Sequence, residues 1–164
     1  MKNTLSIILI AFHCSLFAQK SIDKLLKQYN DNSVPYITVQ ELAMPKTNAI
    51  ILDSRELIEY KTSHLKNAIH VGYDNFSIDS LQKKIPNKNS RIVVYCSVGI
   101  RSESIADSLK LAGYNQVENL FGGIFEWKNN NFPVYNIEEK ETDSIHTFSK
   151  TWSKWLKKGV KVYE

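Results

Sequence analysis

The sequence predicts an α/β fold: a largely parallel sheet with helices on both faces. Three observations carry this. Short apolar runs, of which Arg91-Ile-Val-Val-Tyr95 is the strongest, alternate along the chain with segments of helical period. The runs are near-continuously apolar rather than alternating, as in strands covered on both sides. Two of them end in residues of chemical interest, Asp53 and Cys96, and parallel sheets collect ligands at the carboxyl ends of their strands. The chain has 164 residues, of which 43% are hydrophobic and 23% charged, enough for one domain with a core of its own and unlike a disordered, collagenous or coiled-coil chain.

Residues 1–18 read as a secretory signal peptide. Lys2 supplies the positive start, an apolar stretch runs from Leu5 towards Phe17, and Ala18 is the small residue at the cut. This predicts an exported protein, periplasmic or secreted; an uncleaved anchor and a lipid-anchored Cys14 are the alternatives. Residues 19–36 form an N-terminal helical segment, with Ser21 placed as N-cap. Thr38 and Glu41 have the spacing of a capping box, which starts a short helix with Val39 and Leu42 on one face. Asn48 to Asp53 is a buried strand, Glu56 to Lys61 a short helix, and Ala68 to Val71 another strand. Ile78 to Ile85 is helical until Pro86 stops it. The strand Arg91–Tyr95 follows. Ser102 to Leu111 is a helix whose stripe is Ile105, Ala106, Leu109 and Ala112, closed by Gly113. Val117 to Leu120 is the last strand before Gly122-Gly123, and Trp127 is expected to pack on the core.

Charge and cysteine content narrow the function. With 21 Lys+Arg against 17 Asp+Glu the net charge is +4, and no basic cluster is dense enough for a nucleic-acid partner. Two cysteines exclude a disulfide framework and a Cys-rich zinc site. Cleavage after Ala18 removes Cys14, which leaves Cys96 as the sole mature thiol: buried and inert, paired with another chain, or reactive.

The residues around Cys96 favour reactivity. The segment Cys96-Ser97-Val98-Gly99-Ile100-Arg101-Ser102 joins the end of a strand to the start of a helix. Gly99 allows the loop to turn its N–H groups inward as an anion nest, beside the unpaired N–H groups of the helix start. The helix dipole and the Arg101 guanidinium favour a negative species there, so the thiol should be partly thiolate at neutral pH. This specifies a nucleophile with a cradle for an anion.

At this point the sequence resembles the rhodanese-like domain family, from about Ile37 to Tyr135. Leu52-Asp-Ser-Arg-Glu56 with Glu59-Tyr60, Ser63-His-Leu-Lys-Asn-Ala-Ile69, Cys96 to Ser102, and Leu120-Phe-Gly-Gly-Ile-Phe-Glu-Trp127 are similar to its signatures and stand in the family's order. Ser63 replaces the usual Gly, and Lys66-Asn67 a Pro-Gly turn. The resemblance implies a three-layer α/β/α domain over residues 37–135 and a sulfurtransferase mechanism. Cys96 would take the outer sulfur of a small anionic donor, such as thiosulfate or a persulfide, and pass it to a thiol or cyanide-like acceptor. Backbone N–H groups of Ser97, Val98, Gly99, Ile100, Arg101 and Ser102 would hold the persulfide, and Arg101 would also help bind the donor. It implies no metal or organic cofactor. Four residues separate Cys96 from Arg101, one fewer than in the related phosphatase branch, which argues against a phosphatase or arsenate reductase. A non-catalytic sulfur carrier shares every one of these motifs.

Asp53 and Arg55 are supporting residues; the resemblance implies that Asp53 lies near the loop, and a structural ion pair or a turn carboxylate is the simpler role. His64 reads as a structural histidine. Residues 136–164 are expected to be an acidic linker followed by an amphipathic helix, with Phe148, Trp152, Trp155 and Leu156 on one face and four lysines elsewhere. That helix would dock on the domain, or face a partner protein or a membrane surface.

Overall fold

A computed structural model of the protein describes residues 22–163. The leader and the Ser21 cap lie outside the described residues. The chain divides into two compact units at Asp31. In the first, residues 22–29 form helix α1, whose last turn ends with the Asn30 N–H donating to Leu26 O (2.8 Å).

The second unit carries the sheet. Its strands are β1 (Tyr36–Ile37), β2 (Ile50–Asp53), β3 (Ile69–His70), β4 (Arg91–Tyr95) and β5 (Gln116–Leu120). They lie in the order β1-β5-β4-β2-β3, and every pairing is parallel. The crossovers are α2 (Val39–Leu42), α3 (Leu57–Thr62), α4 (Ile78–Lys84) and α5 (Arg101–Leu111), and α6 (Gly123–Asn129) follows β5. This is the three-layer α/β/α arrangement. β4 is central, and Ile92 to Tyr95 are fully buried, as their β-branched and aromatic side chains favour. On one face Leu52, Ile92 and Val94 pack with Leu81 and Ile85 of the α4 segment and with Ile105, Ala106 and Leu109 of α5.

Local chemistry sets the ends of these elements. Thr38 and Glu41 form the capping box of α2, each side chain bonded to the other's backbone N–H. Ser77 caps α4, which ends at Ile85 before Pro86. Gly113, at φ +91°, closes α5 in the left-handed conformation. α5 starts one residue earlier than the sequence predicts, at Arg101. The two-residue β1 was not predicted: it is held by the Asn119 N–H on Pro35 O and the Phe121 N–H on Ile37 O, contacts no local pattern announces.

The tail corrects the sequence reading. The expected linker contains β7 (Glu141–Thr142), antiparallel to β6 (Val134–Tyr135). Of the expected amphipathic helix only one turn forms, α7 (Lys150–Ser153), between β8 (Ser144–His146) and β9 (Val160–Val162), which pair in parallel. The late start has a backbone cause: Phe148 sits at φ +61°, so the helix begins only after it. Ile145, Thr147 and Leu156 are buried, and Asn129 of α6 ties down the tail by accepting from the Lys157 N–H (2.6 Å) and donating to Trp155 O (3.0 Å). Among the described residues no helix is long and apolar enough to cross a membrane.

Candidate active site

Cys96 is the first residue beyond β4, and the loop from it to Ile100 delivers the chain into α5. The loop is fixed from three sides. From α6, the Ile124 N–H donates to Cys96 O (3.0 Å) and the Phe125 N–H to Ser97 O (3.1 Å). Gly123 permits this approach: at φ +56°, a Cβ there would lie 2.3 Å from Cys96 O. From β5, buried Asn119 donates through Nδ2 to Gly99 O (2.8 Å). From α3, the fully buried Glu59 carboxylate receives both terminal nitrogens of Arg101 at 2.8 Å each, and the Ser97 hydroxyl at 3.0 Å.

Within this frame the thiol is 1% exposed and faces donors. The Gly99 N–H points at Sγ (3.2 Å), Gly99 being at φ +104°. The Ser102 hydroxyl lies 3.5 Å from Sγ and 2.7 Å from Asn119 Oδ1, so its single proton serves one or the other. Burial pushes the Cys96 thiol up. The Arg101 charge, the Ser102 hydroxyl and N–H, and the Gly99 N–H outweigh it, and the thiol is held below its ordinary value. A buried sulfur poised towards thiolate and met by N–H and O–H donors can attack an electrophilic atom and hold the resulting anion.

The predicted site residues separate into two groups. Cys96, Ser97, Val98, Ile100 and Arg101 line a cavity of about 210 Å³, and Gly99 and Ser102 face the sulfur. The Ser97 side chain, however, is spent between Glu59 and Arg101 rather than turned to a ligand. Arg101, expected as the cation for an anionic donor, is clamped by Glu59 at both terminal nitrogens.

Asp53 and Arg55 do not line the cavity. They form a fully buried ion pair (Nη2 to Oδ2, 2.6 Å), and Arg55 also donates to Ser63 O (2.5 Å). The Tyr95 hydroxyl donates to Asp53 Oδ2 (2.5 Å) and accepts from the Leu65 N–H (3.1 Å). The pair thus anchors the end of β4 to the chain after α3. His64 stacks on Tyr60 (4.1 Å between centroids), with Nδ1 on Tyr60 O and Nε2 on Glu139. Trp127 packs on Phe132 and donates to Pro133 O (2.9 Å).

Sequence reasoning placed none of Glu59, Asn119, Phe148 and Trp152 at the site: Glu59 entered only as part of a signature, and Phe148 and Trp152 only as the face of a tail helix. The available signal for Glu59 was its capping-box spacing from Glu56: it is the third residue of α3, bonded back to the Glu56 N–H (3.0 Å), and the one buried residue of that helix, whose Leu57 and Ile58 are exposed. Phe148 and Trp152 complete the cavity wall from the tail.

A model of the rhodanese-like domain family matches residues 38–130, more than half of the chain. The chain belongs to this family. The rhodanese-like fold is shared with a thiosulfate sulfurtransferase from Pseudomonas aeruginosa (TM-score 0.59, 23% identity, 85% of this chain and 26% of that one). It is shared also with a rhodanese-like domain from Anabaena sp. (TM-score 0.56, 23% identity, 65% of this chain and 82% of that one). Among curated sequences, the chain is 33% identical over 84 residues to a tRNA uridine(34) hydroxylase of Enterobacter sp., and 34% identical to that of Escherichia coli K12. These matches cover 49% of this chain and 24% of each relative, so the chain spans only about a quarter of the length of those curated relatives.

Proposed function

We propose that this protein is a sulfurtransferase that carries sulfane sulfur on Cys96. The observation that carries the reading is the sulfur itself: Sγ at the mouth of a strand–loop–helix turn, with the Gly99 N–H at 3.2 Å and Ser102 at 3.5 Å, and a thiol held below its ordinary value. The Cys96 thiolate attacks the outer sulfur of a donor such as thiosulfate or a persulfide. A new S–S bond forms at Sγ as the donor's S–S bond breaks, and the sulfite or thiolate leaves with the bonding pair. The persulfide anion is held by the Gly99 and Ser102 donors until a thiolate or cyanide takes the outer sulfur and restores Cys96. The charge passes from sulfur to sulfur, so the cycle asks for no strong base, metal or organic cofactor.

The test is intact-mass analysis of the purified protein after exposure to thiosulfate and to a glutathione persulfide, beside Cys96→Ser, with cyanide added afterwards. Gain of one sulfur in wild type alone, discharged by cyanide over many cycles, is the expected result. Loading without turnover would mark a sulfur carrier, and no loading from either donor would overturn the reading. The leader-like residues 1–18 support export as the setting for this chemistry; fractionation of cells producing the full chain tests it.

A further inference from the structure

The cavity over Cys96 has an unusual wall. Its floor is the nucleophile loop, and its far side is Phe148 and Trp152, brought there by the tail. Phe148 is a bulky residue at φ +61°, a conformation that costs energy and that its surroundings must hold in place. They do so at several points. The Phe148 N–H donates to Nδ1 of buried His146 (3.2 Å), the Thr147 N–H and hydroxyl donate to Val162 O (2.9 and 3.2 Å), and the Ser153 N–H donates to Ser149 O (3.0 Å). The ring is nevertheless half exposed, at 51%, and lies 5.3 Å over the Arg101 guanidinium. A strained aromatic residue thus stands half open on the wall of the cavity that holds the nucleophile.

The charge at the cavity points the same way. Arg101 is the guanidinium that an inorganic dianion would need. Glu59 occupies both of its terminal nitrogens with two 2.8 Å bonds, and Phe148 covers its face. Lysine is absent from the residues lining the cavity, which are Cys96, Ser97, Val98, Ile100, Arg101, Phe148 and Trp152. A volume of about 210 Å³ is many times that of a water site and admits a phenyl-sized group.

Resting on the sulfurtransferase reading, we infer that Phe148 and Trp152 make the site selective for organic sulfane-sulfur donors: those in which the transferred sulfur is carried by an aryl or alkyl group that packs on the aromatic wall, in preference to inorganic thiosulfate. With an arenethiosulfonate, ArSO2–S⁻, the Cys96 thiolate forms an S–S bond to the terminal sulfur. The bond to the sulfonyl sulfur breaks, ArSO2⁻ departs with the electron pair, and Cys96 is left as the persulfide anion. With an organic persulfide the leaving group is the thiolate RS⁻. Neither step needs an outside oxidant or reductant.

The test compares rates of Cys96 loading by benzenethiosulfonate and by thiosulfate, each divided by its rate with glutathione to remove intrinsic reactivity. Burial of a phenyl group on the wall is expected to give a normalised preference of about tenfold or more for the aromatic donor. Phe148→Ser and Trp152→Ala should each cut that preference severalfold, and Phe148→Leu should keep most of it, with circular dichroism confirming the fold. A wild-type preference no greater than that of glutathione would overturn the inference while leaving sulfur transfer standing, and this readout needs no variant. A preference unchanged in both wall variants would also overturn it. Loading from neither donor would overturn the sulfurtransferase reading and the inference with it.

Discussion

Gly123 stands against the backbone of Cys96 so closely that a methyl group in its place would sit 2.3 Å from the Cys96 carbonyl oxygen and 2.7 Å from that of Ser97. The same two oxygens accept the Ile124 and Phe125 N–H groups at the start of α6. Gly123 therefore sets the height of the nucleophile loop, which is more than the tight turn the sequence suggested.

Gly123→Ala should accordingly damage stability and chemistry together. Overpacking against backbone, added to a positive φ, costs about 2 kcal/mol or more. A lowered unfolding midpoint in urea and slower alkylation of Cys96 at neutral pH are the expected outcomes. Unchanged alkylation would show that the loop keeps its shape without this contact.

The thiol's ionisation should be visible in a pH profile. Iodoacetamide should react with Cys96 at a rate that climbs with pH and levels off above the folded thiol's pKa, with a midpoint below that of an ordinary cysteine, near 8.5. Arg101→Gln should move the midpoint up, since it removes the largest of the stabilising influences on the thiolate. Ser102→Ala should move it up by less. A midpoint unmoved in Arg101→Gln would locate the source of the effect elsewhere.

Glu59→Gln separates bracing from catalysis. Burial pushes the Glu59 carboxyl up, but the Arg101 bond and charge, with help from Arg55 and the Glu56 N–H, pull it below the usual carboxylate range. A group with a depressed folded pKa stabilises fully above its unfolded value, about 4.3, and loses that contribution as pH falls through the lower folded value. Glu59→Gln should thus cost about 3 kcal/mol near neutrality, where it strands a largely buried Arg101. The gap between variant and wild type should narrow below about pH 4 in chemical-denaturation experiments. A gap of constant size across that range would contradict the assignment.

Asp53 and Tyr95 should behave as scaffold. Tyr95→Phe removes the donor to Asp53 and leaves the Leu65 N–H unmet, at a cost of about 1–3 kcal/mol. Asp53→Ala strands fully buried Arg55, at a cost of about 3–5 kcal/mol. Wherever Tyr95→Phe remains folded, its Cys96 should take up sulfur at close to the wild-type rate. A rate reduced a hundredfold in folded Tyr95→Phe would place this pair in the chemistry.

What the sequence made legible is what local pattern encodes. β4 announces itself through Arg91-Ile-Val-Val-Tyr95, α4 through Pro86, α2 through Thr38 and Glu41, and the nucleophile loop through Gly99 between a strand and a helix. Pairings across distance were hidden. Glu59 meets Arg101 across 42 positions, and nothing near Glu59 says which cation it will hold. The tail misled for a different reason. Phe148 and Trp152 have the spacing of a helical face, but a positive φ at Phe148 breaks the helix, so the pair meets at the cavity instead.

The two small parallel strands of the tail, Ser144–His146 and Val160–Val162, share no ladder with the five-stranded sheet that carries Cys96. The loop that carries Cys96 and the aromatic wall of its cavity are therefore built on separate ladders. Replacement of the tail alone, from Asp143 onward, would remodel the wall of the cavity while leaving in place the bonds from α3, β5 and α6 that shape the Cys96 loop.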